Sequence, residues 1–444
     1  MSAIVDFPVK PEARPYLEAF ARAHSQAEPD WLARYRNGSL ARFAEVGFPS
    51  RRSEAWRYLD LRPLEQRAML PAGARASAVP SAARAQIEQI GLAASTHRLV
   101  LIDGRFVPEL SRTTDLPSGV WLRPMKAAII ERPDLVRSGL EPQSGDSSRP
   151  FASLNAAFFA DGFVLDIAPG VVVDRPVEIV HLSSGEARGG SLHTRSIIVA
   201  GEASDAVVIE SFSGLGDYWR NDVVEVRLDT AAKLTRVTLV EEAAEAVHLG
   251  EALTTLGAAS RLSSFVLLTG GRTVRHEASV RSKGRQSHCD LNGVFLLSGR
   301  QEANILTTVD HEAPGGETRE IFKGVATGRA HGAFQGRITV RPGAQKVDAH
   351  QLSRNLVLSP RAAIDTKPEL EIYADDVKCS HGATVGDLDE TALFYLATRG
   401  IPREEARRML IEAFVREAVE LVDPPVVREH LLKRIARRLG RLED

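Results

Sequence analysis

Cysteine is scarce in this chain, because only Cys289 and Cys379 occur among its 444 residues. Two thiols cannot form the disulfide framework of a small secreted domain. They also cannot supply the four thiolates of an all-cysteine metal site. The sequence therefore predicts a reduced protein, and any metal that it handles would need other ligands or a second chain.

The chain also lacks a strong net charge, a long apolar run and an export signal. Its formal net charge is −2, so no bulk field attracts nucleic acid or a membrane surface. A run of about 18 apolar residues, the length that a transmembrane helix needs, is missing. The N-terminus has no basic start followed by an apolar core. We therefore predict a cytoplasmic protein with neither a nucleic-acid nor a membrane partner.

Nucleotide-binding and redox motifs are missing as well. The sequence holds no Cys-x-x-Cys, no Gly-x-x-x-x-Gly-Lys-Ser/Thr loop and no glycine-rich dinucleotide word after a strand. Any ATP hydrolysis or redox chemistry in which the protein takes part must then come from elsewhere. We expect a protein that is not an ATPase or a redox enzyme and that binds no cofactor permanently; an enzyme that needs none of these motifs remains an alternative.

Four regions are visible when the chain is read in order. Residues 1–95 carry apolar positions at helical spacing and are predicted to be mainly helical. Residues 96–150 are predicted to form a linking hairpin, marked by an Asp-Gly turn, and loops. Residues 151–386 contain strand after strand, and residues 387–444 are predicted to be helical again.

The β region repeats on a short period. Strand starts recur roughly every 10 to 16 residues and are separated by Gly, Asp, Ser and Pro. Such a series suits a sandwich, a barrel, a propeller or a β-solenoid. Roughly 240 residues exceed one sandwich, and no blade signature of about 40 residues is visible. The pattern alone leaves these architectures open and favours a parallel β-helix.

The end of the β region carries a thiol and an imidazole on one strand. Residues 377–383 alternate in character, and side chains alternate across a strand, so Cys379 and His381 should project from one face, with Ser380 on the other. A thiol and an imidazole side by side are two ligands for a transition metal. A cysteine in a strand is also often a buried small apolar residue, and both interpretations remain open.

Histidine is concentrated in the same half of the β region, which holds six of the twelve in the chain. Stacked turns could bring some of these side chains to one face, where they would bind a metal transiently. A surface or hydrogen-bonded histidine is the commoner role for each one taken alone. The six residues are His276, His288, His311, His331, His350 and His381.

Helical signals begin directly after the strands. Asp387 and Glu390 are spaced as an N-cap and its N3 partner, Gly400 has the C′ role, and Pro402 is predicted at N1 of a second helix. Each of three helices has an apolar stripe. The stripes are Leu388, Ala392, Leu393 and Leu396; Ala406, Leu410, Ala413 and Phe414; and Val427, Leu431, Ile435 and Leu439.

The third of these helices is strongly basic on its remaining sides. A run of this kind is usually a solvated helix face that the C-terminal dipole favours. A docking surface for an acidic partner is the alternative. The basic residues are Arg428, Lys433, Arg434, Arg437, Arg438 and Arg441.

A long ordered set of sequence motifs over residues 300–420 resembles the SufD family, whose members are scaffold subunits of the SUF iron–sulfur cluster assembly machinery. The words are His311-Glu-Ala-Pro, Phe322-Lys-Gly-Val, the run from Gly336 to Gln351, Arg354-Asn-Leu-Val-Leu-Ser, the run from Lys367 to Gly386 and Leu393-Phe-Tyr-Leu-Ala-Thr-Arg-Gly. Two earlier words, starting at Glu54 and Phe151, extend the likeness to most of the chain. Leu59 replaces a residue that is more often Thr, with no evident consequence.

The resemblance implies a right-handed parallel β-helix core flanked by N-terminal and C-terminal helical regions. It implies pairing through the end of the β-helix with a related, SufB-like scaffold subunit, or a homodimer when that partner is absent. A SufC-like ABC-type ATPase would bind the C-terminal helices. The expected ATPase-binding residues are Leu393, Phe394, Tyr395, Arg399, Gly400 and Phe414.

The resemblance also implies a role for the end of the β region. The family's cluster-assembly residue at the subunit interface falls on His381, with Cys379 as a weaker second candidate. Iron or a nascent iron–sulfur cluster would be shared transiently with the partner subunit.

Two other functions remain possible on the sequence alone. A carbohydrate-active parallel β-helix enzyme would need a carboxylate cluster for Ca²⁺ or for acid/base chemistry. Asp375-Asp376 is the tight acidic pair near the end of the β region, and it is predicted to lie in a turn. The third possibility is a purely structural solenoid whose edge mediates assembly.

Overall fold

The structure is a computed structural model that describes residues 9–23, 28–72, 79, 83–92, 96–140 and 149–442. Residues 143–150 suggest a loop and residues 72–93 a linker that runs into a short helix. Most of that loop and much of that linker lie outside the described ranges. Among the described residues, no helix is both long enough and apolar enough to cross a membrane.

The N-terminal region is helical, as predicted. Its helices are α1 Arg14–Ala23, α2 Asp30–Val46, α3 Arg62–Arg67 and α4 Ala83–Ile90, with short 3₁₀ turns at Pro11–Ala13 and Glu54–Trp56. Trp56 is buried, its ring centroid lies 5.3 Å from that of Phe151, and the guanidinium of Arg275 lies 3.9 Å above it. Trp56 therefore packs the N-terminal region onto α7 and the solenoid.

The next region contains more regular structure than the hairpin and loops expected for it. The hairpin is present as β1 His97–Ile102 and β2 Arg105–Phe106. It is followed by β3 Val120–Pro124, α5 Met125–Glu131, α6 Pro133–Leu140 and α7 Pro150–Phe158. The sequence did not show these helices because each is short and is stabilised by tertiary packing, α5 and α6 on the even sheet and α7 on α2 and the solenoid.

Sixteen further strands form a parallel β-solenoid of about eight turns, which confirms the predicted parallel β-helix. The even-numbered strands from β4 onward and β3 form one sheet, here called the even sheet. The odd-numbered strands from β5 onward, together with β1 and β2, form the odd sheet. The bounds are β4 Phe163–Ile167, β5 Val177–Ser183, β6 Ser191–Ala200, β7 Asp205–Gly214, β8 Trp219–Leu228, β9 Lys233–Glu241, β10 Val247–Leu256, β11 Arg261–Leu268, β12 Thr273–Ser282, β13 His288–Leu297, β14 Glu302–His311, β15 Glu317–Ala326, β16 His331–Val340, β17 Asp348–Val357, β18 Ala363–Ile372 and β19 Lys378–Gly386.

The two sheets face each other across one apolar interior. Because the strands are parallel and in register, residues at equivalent positions of successive turns stack in rows, as Phe212 and Val240 do. The first turn is closed at its outer edge, since β1 pairs in parallel with β5 and β3 pairs antiparallel with β4. The N-terminal end of the solenoid is therefore covered by paired strands, and its C-terminal end is formed by the last strands, β18 and β19.

Three C-terminal helices cover the outer face of the odd sheet. They are α8 Glu390–Thr398, α9 Arg403–Val419 and α10 Pro425–Leu439. Their buried side chains, such as Val415 and Leu431, form one cluster with Phe265, Leu267 and Val294 of the sheet. Strands covered on both faces have nearly continuous apolar runs, which is why strict alternation is weak in this part of the sequence.

Two of the predicted helix starts are wrong by one or two residues. The N-cap of α8 is Asp389, whose carboxylate accepts a hydrogen bond from the backbone N–H of Thr391, whereas Asp387 bonds to the N–H of Leu388. Pro402 is the N-cap of α9 and not its N1 residue, because its ψ of 144° is extended. Several nearby Asp, Glu and Pro residues fit the spacing expected at a helix N-terminus, so the sequence alone does not show which of them is the N-cap.

The apolar stripes are partly as predicted. In α10, Val427, Leu431, Ile435 and Leu439 are all buried, which confirms that stripe. In α9, Ala413 is exposed, and the buried positions are Ala406, Ile411, Val415, Ala418 and Val419. The error is a rotation of the predicted stripe about the helix axis, since α9 packs on α8, α10 and the sheet together.

Some of the basic residues of α10 contact the rest of the protein and are not available to solvent or to a partner. Arg434 is buried, pairs with Glu241 and donates to the backbone oxygen of Gln89 at 3.1 Å. Arg438 donates to Ser298 and Gln301 at 2.8 and 2.6 Å. Two of the six basic residues therefore tie the helix to the solenoid, and the prediction of a wholly solvated or partner-facing run is wrong for them.

Candidate functional site

The last turn of the solenoid leaves an open strand edge in the odd sheet. In β19, the N–H of Lys378 donates to the oxygen of Val347 at 2.8 Å. In a parallel strand, every second residue directs its backbone N–H and C=O toward one side of the strand, and the residues between them direct theirs toward the other side. In an edge strand, one of these two sets therefore has no neighbouring strand. The N–H groups of Cys379, His381, Ala383 and Val385 therefore point out of the sheet, at an edge that a further strand could join.

The corresponding edge of the even sheet is interrupted. In β18, the N–H groups of Ala363 and Tyr373 donate to Ala330 and Val340 at 3.0 and 2.9 Å. The same alternation turns the even-numbered residues of β18 outward, and Pro368 is one of them. Proline has no N–H. The outward donors of β18 therefore have a gap at their centre, whereas those of β19 form an unbroken row.

Cys379 and His381 lie on the inward face of β19. Cys379 packs against the apolar interior and is half-buried. His381 stands two residues further along the same face, and it is exposed because no further turn covers it. The structure thus places the two predicted site residues side by side at the open end.

The thiol of Cys379 is protonated at neutral pH in this environment. Burial raises its pKa above the ordinary value, and the nearby charge of Asp348 raises it further. The second thiol, Cys289, is buried three strands away in the same row, at about 14 Å by strand spacing, and burial raises its pKa as well. The two cysteines therefore do not meet within one chain.

The other five histidines do not gather around His381. His276 and His311 are buried, and burial lowers their pKa values to about 3 and about 4. His331 pairs with Asp365 at 2.7 Å, and His288 lies between Asp290 and Glu317 at 2.9 and 3.1 Å. Among the residues that the structure describes, no group of three or more His, Cys, Asp and Glu side chains could hold a metal ion.

His350 is the histidine nearest to the open end on the outward face. Its Nε2 lies 2.9 Å from Asp348 Oδ1, and its Nδ1 lies 2.5 Å from the Ser380 hydroxyl. A cleft of about 620 Å³ begins at this row and includes residues of β19 on one side and Leu421, which follows α9, on the other. The open end and the C-terminal helices thus border the same cleft.

The first C-terminal helix presents an aromatic pair to solvent. Phe394 is 70% exposed and Tyr395 is 58% exposed, although both are large apolar side chains. The Arg399 guanidinium lies 5.2 Å from the Tyr395 ring and donates to its hydroxyl at 3.2 Å. The helix ends at Gly400, whose φ of +82° confirms its C′ role.

Two of the six predicted ATPase-binding residues are turned toward the protein itself. Leu393 lies on the buried side of α8, and Phe414 of α9 is half-buried with its ring 4.3 Å from the ammonium of Lys323. Lys323 also pairs with Glu417 at 2.5 Å. This anchor between β15 and α9 joins residues 94 positions apart, and local sequence patterns contain no signal for it.

A polar column lies inside the solenoid below His381. The parallel register places His381 opposite Gln351 of β17, and Gln351 opposite Glu320 of β15. Gln351 and Glu320 are both buried. Burial raises the pKa of Glu320 from 4.5 to about 7, against the smaller lowering effect of hydrogen bonds from Gln351 and Thr307.

Glu320→Gln is expected to stabilise the protein at pH 8. A carboxyl whose folded pKa lies above its unfolded pKa stabilises the fold at low pH, and that contribution is lost as pH rises from about 4.5 to above 7. The uncharged variant should be about 1–3 kcal/mol more stable at pH 8 and differ much less at pH 5. Urea unfolding at both pH values measures this, and an equal effect at both would contradict the assigned pKa.

The acidic pair of the rival enzyme hypothesis lies where the sequence placed it. Asp375 and Asp376 are exposed in the turn between β18 and β19, and the backbone N–H of Asp376 donates to Gln345. A pair held in this way faces solvent, whereas a carbohydrate-active site would need its carboxylates in a groove.

Comparisons with known proteins agree along nearly the whole chain. A family model described as SUF system FeS cluster assembly, SufBD core domain, matches residues 181–414. A second, described as SufBD protein N-terminal region, matches residues 12–179.

Curated relatives are similar over most of their own length. An iron–sulfur cluster assembly SufBD family protein of Synechocystis is 29% identical over 408 residues, covering 90% of this chain and 89% of the relative. The iron–sulfur cluster assembly protein SufD of Escherichia coli is 29% identical over 406 residues, covering 90% and 91%. A SufBD family protein of Mycobacterium tuberculosis is 31% identical over 353 residues, covering 76% and 87%.

The parallel solenoid with helices at both ends, matched in both halves by these models, defines an iron–sulfur cluster assembly protein. The chain belongs to the SufBD family. The resemblance found in its C-terminal words is confirmed by matches that also include the N-terminal region.

Proposed function

We infer that this protein is a non-catalytic scaffold subunit of a cytoplasmic SUF assembly complex. Its open end pairs with a SufB-like scaffold subunit, or with a second copy of itself when that partner is absent. Its C-terminal helices bind a SufC-like ABC ATPase, which supplies the ATP hydrolysis that this chain lacks a motif for.

The observation that carries this proposal is the unbroken row of outward donors on β19, with His381 in the middle of the row. An exposed, regular strand edge is a template for pairing with another chain. A partner strand that joins this edge would bring its own side chains next to the inward face of β19. A ligand set that one chain does not complete could then be completed across the interface.

In this proposal His381 contributes to iron acquisition and to the nascent cluster. A neutral imidazole ligates iron through the ring nitrogen that lacks a proton. Cys379 is the weaker second contributor, because its thiol must first lose a proton that burial holds in place. Iron and the cluster are cargo shared with the partner, and no cofactor is bound permanently.

The pairing edge can be tested with a proline. Ala383→Pro removes an N–H that points out of the sheet, so the ladder within the chain loses no hydrogen bond. The preceding residue is Gly382, which relieves the usual restriction before proline. We expect pairing with the SufB-like subunit to weaken by about tenfold or more, because a partner strand would lose a donor and meet the proline ring.

Thr366→Pro is the matched control, since its N–H also points outward but belongs to the even sheet, next to Pro368. Sedimentation of the mixed subunits over a concentration series gives both dissociation constants. Equal weakening by the two substitutions would assign the pairing to the even sheet as well. Unchanged dissociation constants for Ala383→Pro would place the interface elsewhere.

A further inference from the structure

The short 3₁₀ turn Glu54–Trp56, here called the Glu54 turn, lies on the outer face of the even sheet. Glu54 also begins one of the sequence motifs that carry the family resemblance. The turn contacts three strands in the second half of the solenoid, 220, 281 and 313 residues further along the chain. It therefore joins the N-terminal region to the end of the β-helix.

Buried polar side chains hold the backbone of the Glu54 turn. The Arg275 guanidinium of β12 donates to the backbone oxygen of Ala55 at 2.9 Å. The Gln335 amide of β16 donates to the backbone oxygen of Glu54 at 3.1 Å. Asn304 of β14 links the two, since its side chain accepts from Arg275 and donates to Gln335 at 3.1 Å. All three polar side chains are buried, and burial without hydrogen bonds would cost free energy, so they and the two carbonyl groups stabilise one another.

Trp56 fixes the turn independently of the Glu54 side chain. The Trp56 ring is buried, and its centroid lies 5.3 Å from that of Phe151 in α7. The Arg275 guanidinium lies 3.9 Å from the same centroid, where the aromatic ring attracts a cation. The position of the turn is therefore determined by Trp56 and by the backbone, and a substitution of the exposed Glu54 side chain should leave it in place.

The Glu54 carboxylate extends this contact to β18. It pairs with the ammonium of Lys367, which also lies 2.9 Å from Glu369. Among the described strands, β18 is the last of the even sheet, and it contacts β19 within the last turn. Terminal elements open at a lower free-energy cost than the centre of a fold. The ion pair thus acts on the part of the solenoid that opens most easily.

We propose that Glu54 and Lys367 are positioning residues for subunit pairing. The Glu54 turn, fixed by its own packing, holds β18 against β16, and β18 supports β19 in the same turn. A partner strand then meets a β19 edge that is already in place, so pairing does not have to order the last turn. This inference rests on the proposed pairing through β19.

Hydrogen exchange of the full chain without any partner tests the effect on β18. The N–H groups of β18 that point to β16 are protected while the last turn is closed, and mass spectrometry of peptides within residues 363–373 reports their exchange. Glu54→Lys places two ammonium groups next to each other. We expect protection in these peptides to fall by about fivefold, the effect of one partly exposed charge pair. The variant should fold because the Glu54 side chain is 69% exposed.

A second substitution tests whether the effect passes through Lys367. In the natural chain, Lys367→Met removes an attraction and should lower the protection of β18 by about twofold. In the Glu54→Lys background, the same substitution removes a repulsion and should raise the protection. A change of the same sign in both backgrounds would contradict a direct interaction between the two residues.

Asp217→Lys is the matched control. Asp217 lies between β7 and β8 and pairs with Arg67 of α3 at 2.5 Å, with side chains that are 38% and 46% exposed. The substitution reverses another ion pair between the N-terminal region and the solenoid, but several turns away from the open end. It should change neither the protection of β18 nor subunit pairing.

Sedimentation with the SufB-like subunit tests the effect on pairing. Because the partner would have to close the last turn itself, Glu54→Lys should raise the dissociation constant by about two- to fivefold. Unchanged protection of β18 in this variant would overturn the proposal, and so would lower protection with an unchanged dissociation constant. Weakened pairing in Ala383→Pro together with unchanged β18 protection in Glu54→Lys would refute the role of Glu54 alone. Lower β18 protection together with unchanged pairing in Ala383→Pro would refute pairing through β19.

Discussion

His381→Ala should leave folding and subunit pairing intact while the cluster content of the purified complex falls by about tenfold or more. Removing even an outer partner of a metal ligand typically costs 10–100-fold in metal affinity, and His381 is proposed as a ligand itself. The measurement is iron and acid-labile sulfide in the co-purified complex, compared at equal yield of all subunits.

The fold should tolerate this substitution because of where His381 lies. The residue is in the last strand, its side chain is exposed, and no turn packs on it. Its backbone N–H points out of the sheet and alanine keeps that group. Unaltered sedimentation of the variant with the SufB-like subunit would establish that cluster loss is not a loss of pairing.

Two substitutions bracket the result. His350→Ala removes an imidazole from the outward face one turn below, where Asp348 and Ser380 already hold it, and should leave the cluster content near normal. Cys379→Ser should have a smaller effect than His381→Ala, because the thiol is half-buried and its pKa is raised. Normal iron and sulfide in His381→Ala would rule out the proposed role of this histidine.

The sequence was sufficient for those features that depend on local periodicity. Alternation over residues 377–383 predicted that Cys379 and His381 share a face, and the structure confirms it because the strand there is regular. The spacing of Val427, Leu431, Ile435 and Leu439 predicted the buried side of α10 for the same reason. Both signals repeat within a few residues, which is the range over which a single sequence is informative.

The sequence did not predict which residues of successive solenoid turns lie next to each other. About 30 residues of sequence separate Glu320 from Gln351, and about 30 more separate Gln351 from His381. Only the register of β15, β17 and β19 makes these three residues neighbours. Pro368 reads as a strand breaker in sequence, whereas the ladder shows that its missing N–H falls on the open side of β18. A turn length that varies along the solenoid hides such rows from any fixed-period search.

The C-terminal helices show the same division. Their existence and most of their apolar residues follow from helical spacing, but their orientation is decided by long-range contacts. Lys323 binds Glu417 and contacts the ring of Phe414, and Arg434 pairs with Glu241. These pairs turn α9 and α10 so that Ala413 faces solvent, contrary to the predicted stripe.

The burial of the odd sheet also decides how the ATPase dock can be tested. Deleting residues 387–444 would remove the proposed dock, but it would also expose Phe265, Leu267 and Val294, which the helices cover. Exposing a cluster of buried apolar side chains destabilises a protein and promotes aggregation. Loss of ATPase binding by that truncation would therefore not distinguish a missing dock from a damaged solenoid.

Substitution of the two exposed aromatic residues avoids this difficulty. Phe394→Ser with Tyr395→Ser removes side chains that are 70% and 58% exposed, so the fold loses little packing. Truncation of an aromatic hot-spot residue at the centre of an interface costs about 2 kcal/mol or more in binding free energy. We therefore expect the affinity for the SufC-like ATPase to fall by about 100-fold or more, while pairing with the SufB-like subunit and the unfolding midpoint stay the same.

Met409→Ser is the matched control for this double variant. Met409 is 45% exposed on α9 and is equally apolar, but it lies on a neighbouring helix outside the aromatic pair. Isothermal titration of each variant with the ATPase gives the affinities, and urea unfolding checks the fold. If the double variant binds the ATPase as tightly as the natural chain, α8 is not the dock. If Met409→Ser weakens binding as strongly, the dock extends over α9, and the aromatic pair is not its centre.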